Sequence, residues 1–350
     1  MGTYNMSDKQ QLIVRTFTIS IGELIFQVQP NSLFVAKNAN NEQILLHTEV
    51  REEDMAILES FANKARTIIA PLPSTEIIYS IVQGPQKITL FKNELDNYVL
   101  VINNQVQFTT DSEVIYHEAL VSPAIASVSD AKKILILGGG DGLASKQIFK
   151  EIPNAEITLV DFDKNITDIF TLDPVMCKFN EYSMKKCTVL NEDAFEYVFK
   201  DKEKYDIIIC DFPDPDDEIF NKLYSLEFYT QVKTLLNPNG VISVQSGSLV
   251  RDSDCFKCIN KTLQSAGFKT IKYYTPTSYG ELVYSLGKVE QLPEPRFVNK
   301  LQTINQEYFI KAMSTFRPDH LLNEEVTVNT VDNMAALNYR KKELRLYDKT

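Results

Sequence analysis

A glycine-rich turn is the first feature of this chain that could do chemistry. The sequence GGGDG, Gly138 to Gly142, follows the apolar run KILIL and precedes a helical pattern. Glycine permits positive φ and lets a nucleoside or phosphate approach the backbone, while the next helix N-terminus offers free N–H groups. The turn therefore predicts an adenosyl-type ligand near Gly138, Gly140 and Gly142.

The spacing of these glycines argues against a dinucleotide. The dinucleotide fingerprint is G-x-G-x-x-G, but counting from Gly138 the sixth position is Leu143, so the pattern is G-x-G-x-G. At the end of the next strand, Asp161 can accept hydrogen bonds from both ribose hydroxyls, and Asp193 in NEDAF can meet an adenine amino group. Each feature has a plainer interpretation, a tight turn or a helix cap. Their joint placement at the ends of three successive strands favours a ligand site.

A second acidic turn, DFPDP, follows the fourth strand of the same pattern. It places Asp211 and Asp214 three residues apart beside stiffening prolines. Methyltransferases that act on exocyclic amines have a similar turn but place an aromatic after the prolines, where this chain has Asp214 and Pro215. Two carboxylates instead suit a flexible cation such as an alkyl diamine. The alternative is a solvated acidic loop that continues through Asp216, Asp217 and Glu218.

Alternating strands and helices must position these two turns. Short apolar runs alternate with helical patterns over 131–288, which predicts a doubly wound, Rossmann-like α/β domain of the methyltransferase type. One of its helices, in SLEFYTQVKTLLNPNG, is predicted to end at Asn239 and Gly240.

Before this domain, residues 1–75 predict a small β-rich module with a meander over 12–50 and a helix over 51–66, and residues 76–130 predict β-hairpins. Residues 289–350 are interpreted as a C-terminal extension packed on the catalytic domain.

Composition narrows the possible partners. The formal net charge is −11, from 47 Asp and Glu against 36 Lys and Arg, which disfavours nucleic acid. Apolar runs and the N-terminus predict neither a membrane span nor a signal peptide, hence a cytoplasmic protein. The CxxC pair, Cys255 and Cys258, lacks partners for a zinc site, so helix-face packing is favoured and no metal is expected.

From about Gln86 onward, the sequence resembles the spermidine synthase (polyamine aminopropyltransferase) family. The motifs occur in the family's order: PQKI, VQFTTDSEVIYHEAL, ILGGGDGLA, TLVDFD, NEDAF, CDFPDP, LYSLEFY and TPTSYGE. The segment VTVNTVDNMAALNY is similar to the group that carries DLPDP, whose members often have an N-terminal membrane domain. The apolar runs of this chain predict no such domain. Family members commonly self-associate, so the resemblance implies a homo-oligomer.

The resemblance implies a role for each candidate site residue. Gln86, Asp161, Asp193 and Ala194 would contact the nucleoside of decarboxylated S-adenosylmethionine, the co-substrate. The aminopropyl or amine groups would be met by Asp141 and His117. Asp211 would accept the proton with help from Tyr116, and the polyamine substrate would be held by Asp214 and Tyr279. Tyr116 and Tyr279 could instead be packing aromatics.

Three departures from the family pattern leave parts of this assignment open. Ser112 stands where the family has an aspartate, Glu218 stands where many members have a proline, and Leu282 replaces a tryptophan. These positions bear on acceptor specificity and cofactor affinity. Aminopropyl transfer, with putrescine as the acceptor, is the favoured hypothesis. Methyl transfer from S-adenosylmethionine and a non-catalytic nucleoside-binding relative are the alternatives.

Overall fold

The computed structural model describes the residues 17–21, 24–28, 34–37, 43–46, 76–81, 88–92, 97–102, 105–174, 176–248, 252–277, 280–290 and 326–347. The chain divides into two compact units, Met1–Asp111 and Ser112–Thr350. None of the helices in the described ranges is long and apolar enough to cross a bilayer. The helix predicted over 51–66 lies outside the described residues.

The described residues of the first unit form two antiparallel sheets, each of four strands in sequence order. The first sheet contains β1 Phe17–Ile21, β2 Leu24–Val28, β3 Phe34–Lys37 and β4 Gln43–Leu46. The second contains β5 Glu76–Ile81, β6 Ile88–Lys92, β7 Tyr98–Ile102 and β8 Gln105–Thr109. Within each sheet, every strand pairs antiparallel with the next strand along the chain. The predicted β-rich N-terminal region is confirmed.

The described residues of the second unit form a seven-stranded sheet in the order β11-β10-β9-β12-β13-β15-β14. Its strands are β9 Lys133–Gly138, β10 Glu156–Val160, β11 Thr188–Leu190, β12 Tyr205–Asp211, β13 Leu236–Gln245, β14 Lys269–Thr277 and β15 Gly280–Lys288. Strands β9 to β13 are parallel, whereas β15 runs antiparallel to both β13 and β14. This is the doubly wound, methyltransferase-like sheet that the sequence predicts.

Helices connect and cover these strands. The α-helices of the described residues are α1 Glu113–Ile125, α2 Leu143–Glu151, α3 Lys164–Leu172, α4 Met176–Phe179, α5 Ala194–Lys200, α6 Glu218–Asn221, α7 Leu226–Leu235, α8 Ser253–Ser265 and α9 Ala335–Tyr347. Four successive residues of β9, Ile134 to Leu137, are fully buried because apolar side chains pack on both faces of the sheet. This two-sided burial explains the continuous apolar runs.

The order of the strands creates the crevice where a site can form. The chain winds outward from β9 through β10 to β11, then returns to β12 on the other side of β9. Connections therefore leave the carboxyl ends of β9 and β12 in opposite directions, which opens a crevice between them. In the register of the two strands, Asp211 lies opposite Gly138. The two acidic turns of the sequence thus meet at one edge.

The helix α7 is shorter than the sequence predicts. The helix predicted to end at Asn239 and Gly240 ends at Leu235, and the strand β13 begins at Leu236. Pro238 explains the early end, since proline disfavours helical geometry at the residue before it.

Cys255 and Cys258 lie buried on α8 in one apolar cluster, as the packing interpretation predicted.

The described part of the C-terminal segment packs on this helix. Ala335 and Ala336 of α9 belong to the same apolar cluster as the two cysteines and Ile259 of α8. The domain boundaries that the sequence predicts, at residues 75, 130 and 288, stay predictions.

Candidate active site

The glycine turn is tied directly to the end of β12. Gly138 and Gly139 have φ of +80° and +66°, and the Gly139 N–H donates to the Asp211 carbonyl at 3.1 Å. A Cβ at Gly138 would stand 2.2 Å from that carbonyl oxygen, so a side chain is excluded there by both space and backbone conformation. Glycine at this position lets the turn after β9, which carries Asp141, lie against the end of β12, which carries Asp211.

Asp161 directly follows β10, the strand beside β9. Its Oδ2 accepts from the Gly140 N–H at 3.0 Å and its Oδ1 from the Asp163 N–H at 2.9 Å. A Cβ at Gly140 would approach Oδ2 to 2.7 Å, which explains the glycine. Asp163, rather than Asp161, caps α3. Burial raises the pKa of Asp161 to about 6, against the lowering effect of these two backbone hydrogen bonds.

Asp193 at the third strand is a helix cap, as the plainer interpretation of the sequence held. Its Oδ1 accepts from the Phe195 N–H at 2.8 Å at the start of α5. Its Oδ2 accepts from Lys222 Nζ at 2.6 Å, a partner that the sequence analysis missed. Ala194 is the buried first residue of the same helix. Capping leaves the adenine role of Asp193 a prediction.

Asp211 lies in a group of side chains drawn from three elements. Tyr116 of α1 donates its hydroxyl to Asp211 Oδ1 at 2.6 Å, and His117 Nε2 is 4.0 Å from Oδ2. The Asp141 carboxylate of the glycine turn is near enough to affect the pKa of His117. Its own Oδ1 accepts from the Leu143 N–H at 2.9 Å. The structure therefore brings together Tyr116, His117, Asp141 and Asp211.

A buried ion pair behind His117 sets the state of its ring. His117 Nδ1 lies 2.7 Å from the Glu113 carbonyl oxygen and 3.5 Å from Glu113 Oε2, and Lys146 Nζ lies 2.6 Å from Glu113 Oε1. Burial alone would raise the pKa of Glu113. The hydrogen bond and charge of His117 and the charge of Lys146 outweigh the effect of burial, and together they lower the pKa of Glu113 to about 2. Glu113 and Lys146 were not identified from sequence, because pairing across 33 residues carries no local signal.

His117 is correspondingly basic. Burial alone would lower its pKa, but the Glu113 hydrogen bond and the carboxylates of Asp141 and Asp211 raise it. With Nδ1 facing a carbonyl oxygen, the ring donates from Nδ1, and in the charged form Nε2–H also faces Asp211. His117 can thus hold positive charge between two carboxylates.

Tyr116 is supported by packed aromatic rings. Its ring meets that of Tyr284 edge-on at 5.9 Å, and the Tyr284 ring stacks on Tyr273 at 5.4 Å. Tyr273 is itself fixed by donating to the Ala119 carbonyl at 2.7 Å. Tyr116 is therefore both a packing aromatic and a hydrogen-bond donor to Asp211, so the two interpretations of this residue are compatible.

Asp141 carries an unusual protonation equilibrium. Burial, together with the negative charges of Asp211 and Glu113, raises its pKa to about 6, although His117 and the Leu143 N–H act in the opposite direction. In the unfolded chain an aspartate titrates near pH ~3.9. The native state therefore binds more protons between these two values, and its stability falls as pH rises through this window.

Replacing Asp141 by Asn tests this linkage. The amide cannot ionise, so the free energy of unfolding of Asp141→Asn minus that of wild type is expected to rise from about pH 4 to about pH 6 and then level off. Urea unfolding across pH 4.5 to 7.5 measures it. Asp168→Asn, at an exposed ion pair with Lys164 on α3, is the matched control. A difference that falls over the same range would contradict the assignment.

Asp214 has two partners that the sequence analysis did not anticipate. Gln245 Nε2, at the end of β13, donates to Oδ1 at 3.2 Å, and Arg340 Nη2, on α9, lies 2.9 Å from Oδ2. The neighbouring Asp216 also contacts Arg340, and Asp217 caps α6 by accepting from the Phe220 N–H. The turn is thus not a freely solvated acidic loop.

Among the described residues, no group of His, Cys, Asp or Glu is arranged to hold a metal ion.

The remaining candidate positions fall into two groups. Gln86 and Tyr279 lie outside the described residues, so their roles stay predictions. Of the three departures, Ser112 is buried just before α1, Leu282 is buried in the apolar cluster that also contains Tyr284, and Glu218 is exposed at the start of α6.

Comparisons with known proteins agree on one family. Residues 113–297 match the model of the spermine/spermidine synthase domain. The chain is 35% identical over 279 residues to a polyamine aminopropyltransferase of Leptospira interrogans, which covers 78% of this chain and 55% of that protein. It is 32% identical over 272 residues to polyamine aminopropyltransferase 2 of Ralstonia nicotianae, covering 75% and 52%. The chain thus spans about half the length of these curated relatives.

Solved structures show the same fold. A spermidine synthase crystallised with the transition-state analogue AdoDATO superposes with a TM-score of 0.62 at 20% identity, covering 97% of this chain and 99% of that one. The Thermotoga maritima spermidine synthase gives 0.60 at 21% identity, covering 90% and 94%. With the matched domain and the relatives above 30% identity, these findings place the chain in the spermine/spermidine synthase family.

Proposed function

We propose that this chain is an aminopropyltransferase of polyamine biosynthesis that uses decarboxylated S-adenosylmethionine and putrescine. The observation that carries the proposal is the 2.6 Å hydrogen bond from Tyr116 to Asp211, at the strand edge where Asp211 lies opposite Gly138. It orients a carboxylate base beside the turn that the resemblance assigns to the nucleoside. The names of the relatives support the same reaction.

The carboxylates of the crevice suit the co-substrate. Asp141 and Asp161 both have pKa values raised to about 6, because they are buried and lie near other acidic groups. A bound ammonium or sulfonium would offset this repulsion, and ribose hydroxyls could donate to Asp161. The solved relative crystallised with AdoDATO supports a nucleoside of this kind.

Asp141 can also choose between two forms of the nucleoside. The intact form of S-adenosylmethionine carries a carboxylate that the decarboxylated form lacks. A carboxylate in the glycine turn attracts the free amine of the decarboxylated form and repels the acid of the intact one. Aminopropyl transfer is favoured over methyl transfer for this reason.

The reaction needs a base because the acceptor amine is charged in water. An alkyl amine with a pKa near ~10.4 costs about 4.6 kcal/mol to deprotonate at pH 7. Asp211, held by Tyr116, accepts the ammonium proton. The nitrogen lone pair then attacks the aminopropyl carbon next to sulfur, the C–S bond breaks, and its electron pair leaves with methylthioadenosine. The product is a longer polyamine, spermidine from putrescine.

A reaction with defined substrates tests the proposal. The purified chain, given decarboxylated S-adenosylmethionine and putrescine, is expected to release methylthioadenosine and to form spermidine in equal amounts, measured by chromatography and mass spectrometry. Intact S-adenosylmethionine in place of the decarboxylated form is the control and should yield no methylated amine. Methylated product from the intact form, or nucleoside binding without turnover on any amine, would overturn the proposal.

Assembly and location complete the proposal. By the family resemblance we infer a homo-oligomer that acts on small-molecule polyamine substrates, and the cytoplasmic location stays a prediction from the sequence. Sedimentation velocity of the purified chain measures the first of these inferences, and a single monomeric species would contradict it.

A further inference from the structure

Arg340, on the C-terminal helix α9, joins three carboxylates from two loops. Its Nη2 lies 2.9 Å from Asp214 Oδ2, its Nε donates to Asp216, and its Nη1 donates to Asp252. Each nitrogen of the guanidinium therefore has a different acidic partner. The planar fork of an arginine makes such a three-way contact possible, whereas an ammonium group could not reproduce its geometry.

This cluster is buried and the guanidinium stays charged. The side chains of Arg340 and Asp252 are 8% and 0% exposed, against 18% for Asp214. Burial alone would lower the pKa of Arg340, but the three carboxylates raise it above its ordinary value. Asp216, at 27%, is the most exposed of the three carboxylates, and Asp214 is more exposed than the fully buried Asp252.

Arg340 is held in place by the segment that carries it. Asn329 accepts from the Ala336 N–H and donates to the Asn221 carbonyl, and the Asn221 side chain accepts from the Leu337 N–H. Further along α9, Glu343 accepts from the backbone N–H groups at the start of α8. With both ends of the helix anchored in this way, Arg340 is a fixed cation of the fold.

The position of Arg340 bears on the acceptor amine. In the proposed function, on which this inference rests, Asp214 would hold the ammonium of putrescine that does not react. Asp214 Oδ2 already pairs with Arg340, and Oδ1 already accepts from Gln245. A second ammonium must therefore share a carboxylate that is partly neutralised and must lie close to a fixed positive charge.

We propose that Arg340 is a specificity-determining residue, which competes with the second ammonium of the acceptor for Asp214 and so reduces the preference for diamines over monoamines. Putrescine remains a substrate, because its reacting amine depends on Asp211. Compared with a monoamine, the second ammonium raises the affinity of the wild-type chain for the acceptor by less than about tenfold. Pairing with a carboxylate that no other cation shares would raise it by about tenfold or more.

The test compares two amines that differ only in the second ammonium. Calorimetry with methylthioadenosine present measures the dissociation constants of 1,4-diaminobutane and 1-aminobutane, so it does not depend on turnover. The ratio of the two constants in wild type is expected to be within about tenfold. Lys341→Gln, an exposed position on the same helix, should leave the ratio unchanged.

The key variant removes Arg340 while keeping local charge balanced. Arg340→Gln alone would leave the buried Asp252 without its cation, so it is combined with Asp252→Asn, whose side-chain oxygen can still accept from the Ser248 N–H. In this double variant the preference for 1,4-diaminobutane is expected to rise about tenfold or more. Adding Asp214→Asn to the double variant should abolish this rise in preference. Asp214→Asn alone, in the wild-type background, should change the ratio of the two dissociation constants by less than about threefold.

The outcomes separate this inference from the proposed function. An unchanged amine ratio in the double variant, equal weakening of both amines, or no binding of either amine by any form would overturn the role of Arg340. Failure to release methylthioadenosine in the separate turnover assay would overturn aminopropyl transfer, while the binding ratio would still decide the role of Arg340. Thermal unfolding of each variant establishes that it is folded.

Discussion

Replacing Asp211 by Asn is expected to lower the rate of methylthioadenosine release about 10²- to 10⁴-fold. The amide keeps the size of the side chain, and its oxygen can still accept from Tyr116, whose hydroxyl lies 2.6 Å from Asp211 Oδ1. It cannot accept the ammonium proton, so the acceptor amine stays protonated and has no lone pair for attack. Single-turnover release of methylthioadenosine from decarboxylated S-adenosylmethionine and putrescine measures the effect.

The control for this change is another aspartate-to-asparagine substitution outside the crevice. Asp168→Asn, at an exposed ion pair on α3, should retain turnover within about twofold, as a surface ion pair contributes little. Nucleoside affinity of Asp211→Asn should also stay close to wild type. Turnover by Asp211→Asn within about fivefold of wild type would contradict the role of Asp211 as the base.

Gly138→Ala is expected to have the largest effect on stability, a loss of roughly 3 kcal/mol or more in the free energy of unfolding. Two costs combine at this position: φ is +80°, and the added Cβ would stand 2.2 Å from the Asp211 carbonyl oxygen. Relief of this clash requires β9 and β12 to move apart at the crevice. Urea unfolding measures the loss, and any folded fraction should have reduced turnover.

Gly267→Ala separates the two costs. Its φ of +97° also disfavours a side chain, but the nearest atom to the added Cβ is Lys233 Nζ at 2.9 Å, the far end of a flexible side chain. It should therefore cost only about 1 kcal/mol, from backbone strain. Equal losses at Gly138 and Gly267 would show that the contact with the β12 carbonyl is unimportant.

The elements of the second unit could largely be predicted from sequence, because their signals are local. The continuous apolar run of β9 and the glycines that follow it specify a buried strand and a strand-to-helix turn within about ten residues. The acidic turn after β12 could be located in the same way. The predicted end of α7 at Asn239 and Gly240 was wrong, because Pro238 already disfavours helical geometry at the residue before it.

The site itself was only partly accessible from sequence. Asp141, Asp161 and Asp211 follow predicted strands, so parallel-sheet topology by itself brings them to one edge. Tyr116 and His117 were identified through the family resemblance, because α1 lies outside that strand-and-helix pattern. Asp193 shows the limit of this reasoning, since a carboxylate before a helix serves equally as a cap, and here it is one.

The sequence by itself determined the glycine turn, the acidic turn and the alternation of strands and helices, because each of these depends on neighbouring residues. Only the tertiary structure decided which partners the acidic side chains have. Arg340 reaches Asp216 across 124 residues, and Tyr116 reaches Asp211 across 95. No spacing rule connects residues so far apart. Their contacts exist because α9 packs on α8 and α1 packs near the carboxyl end of β12, and long-range packing alone sets those distances.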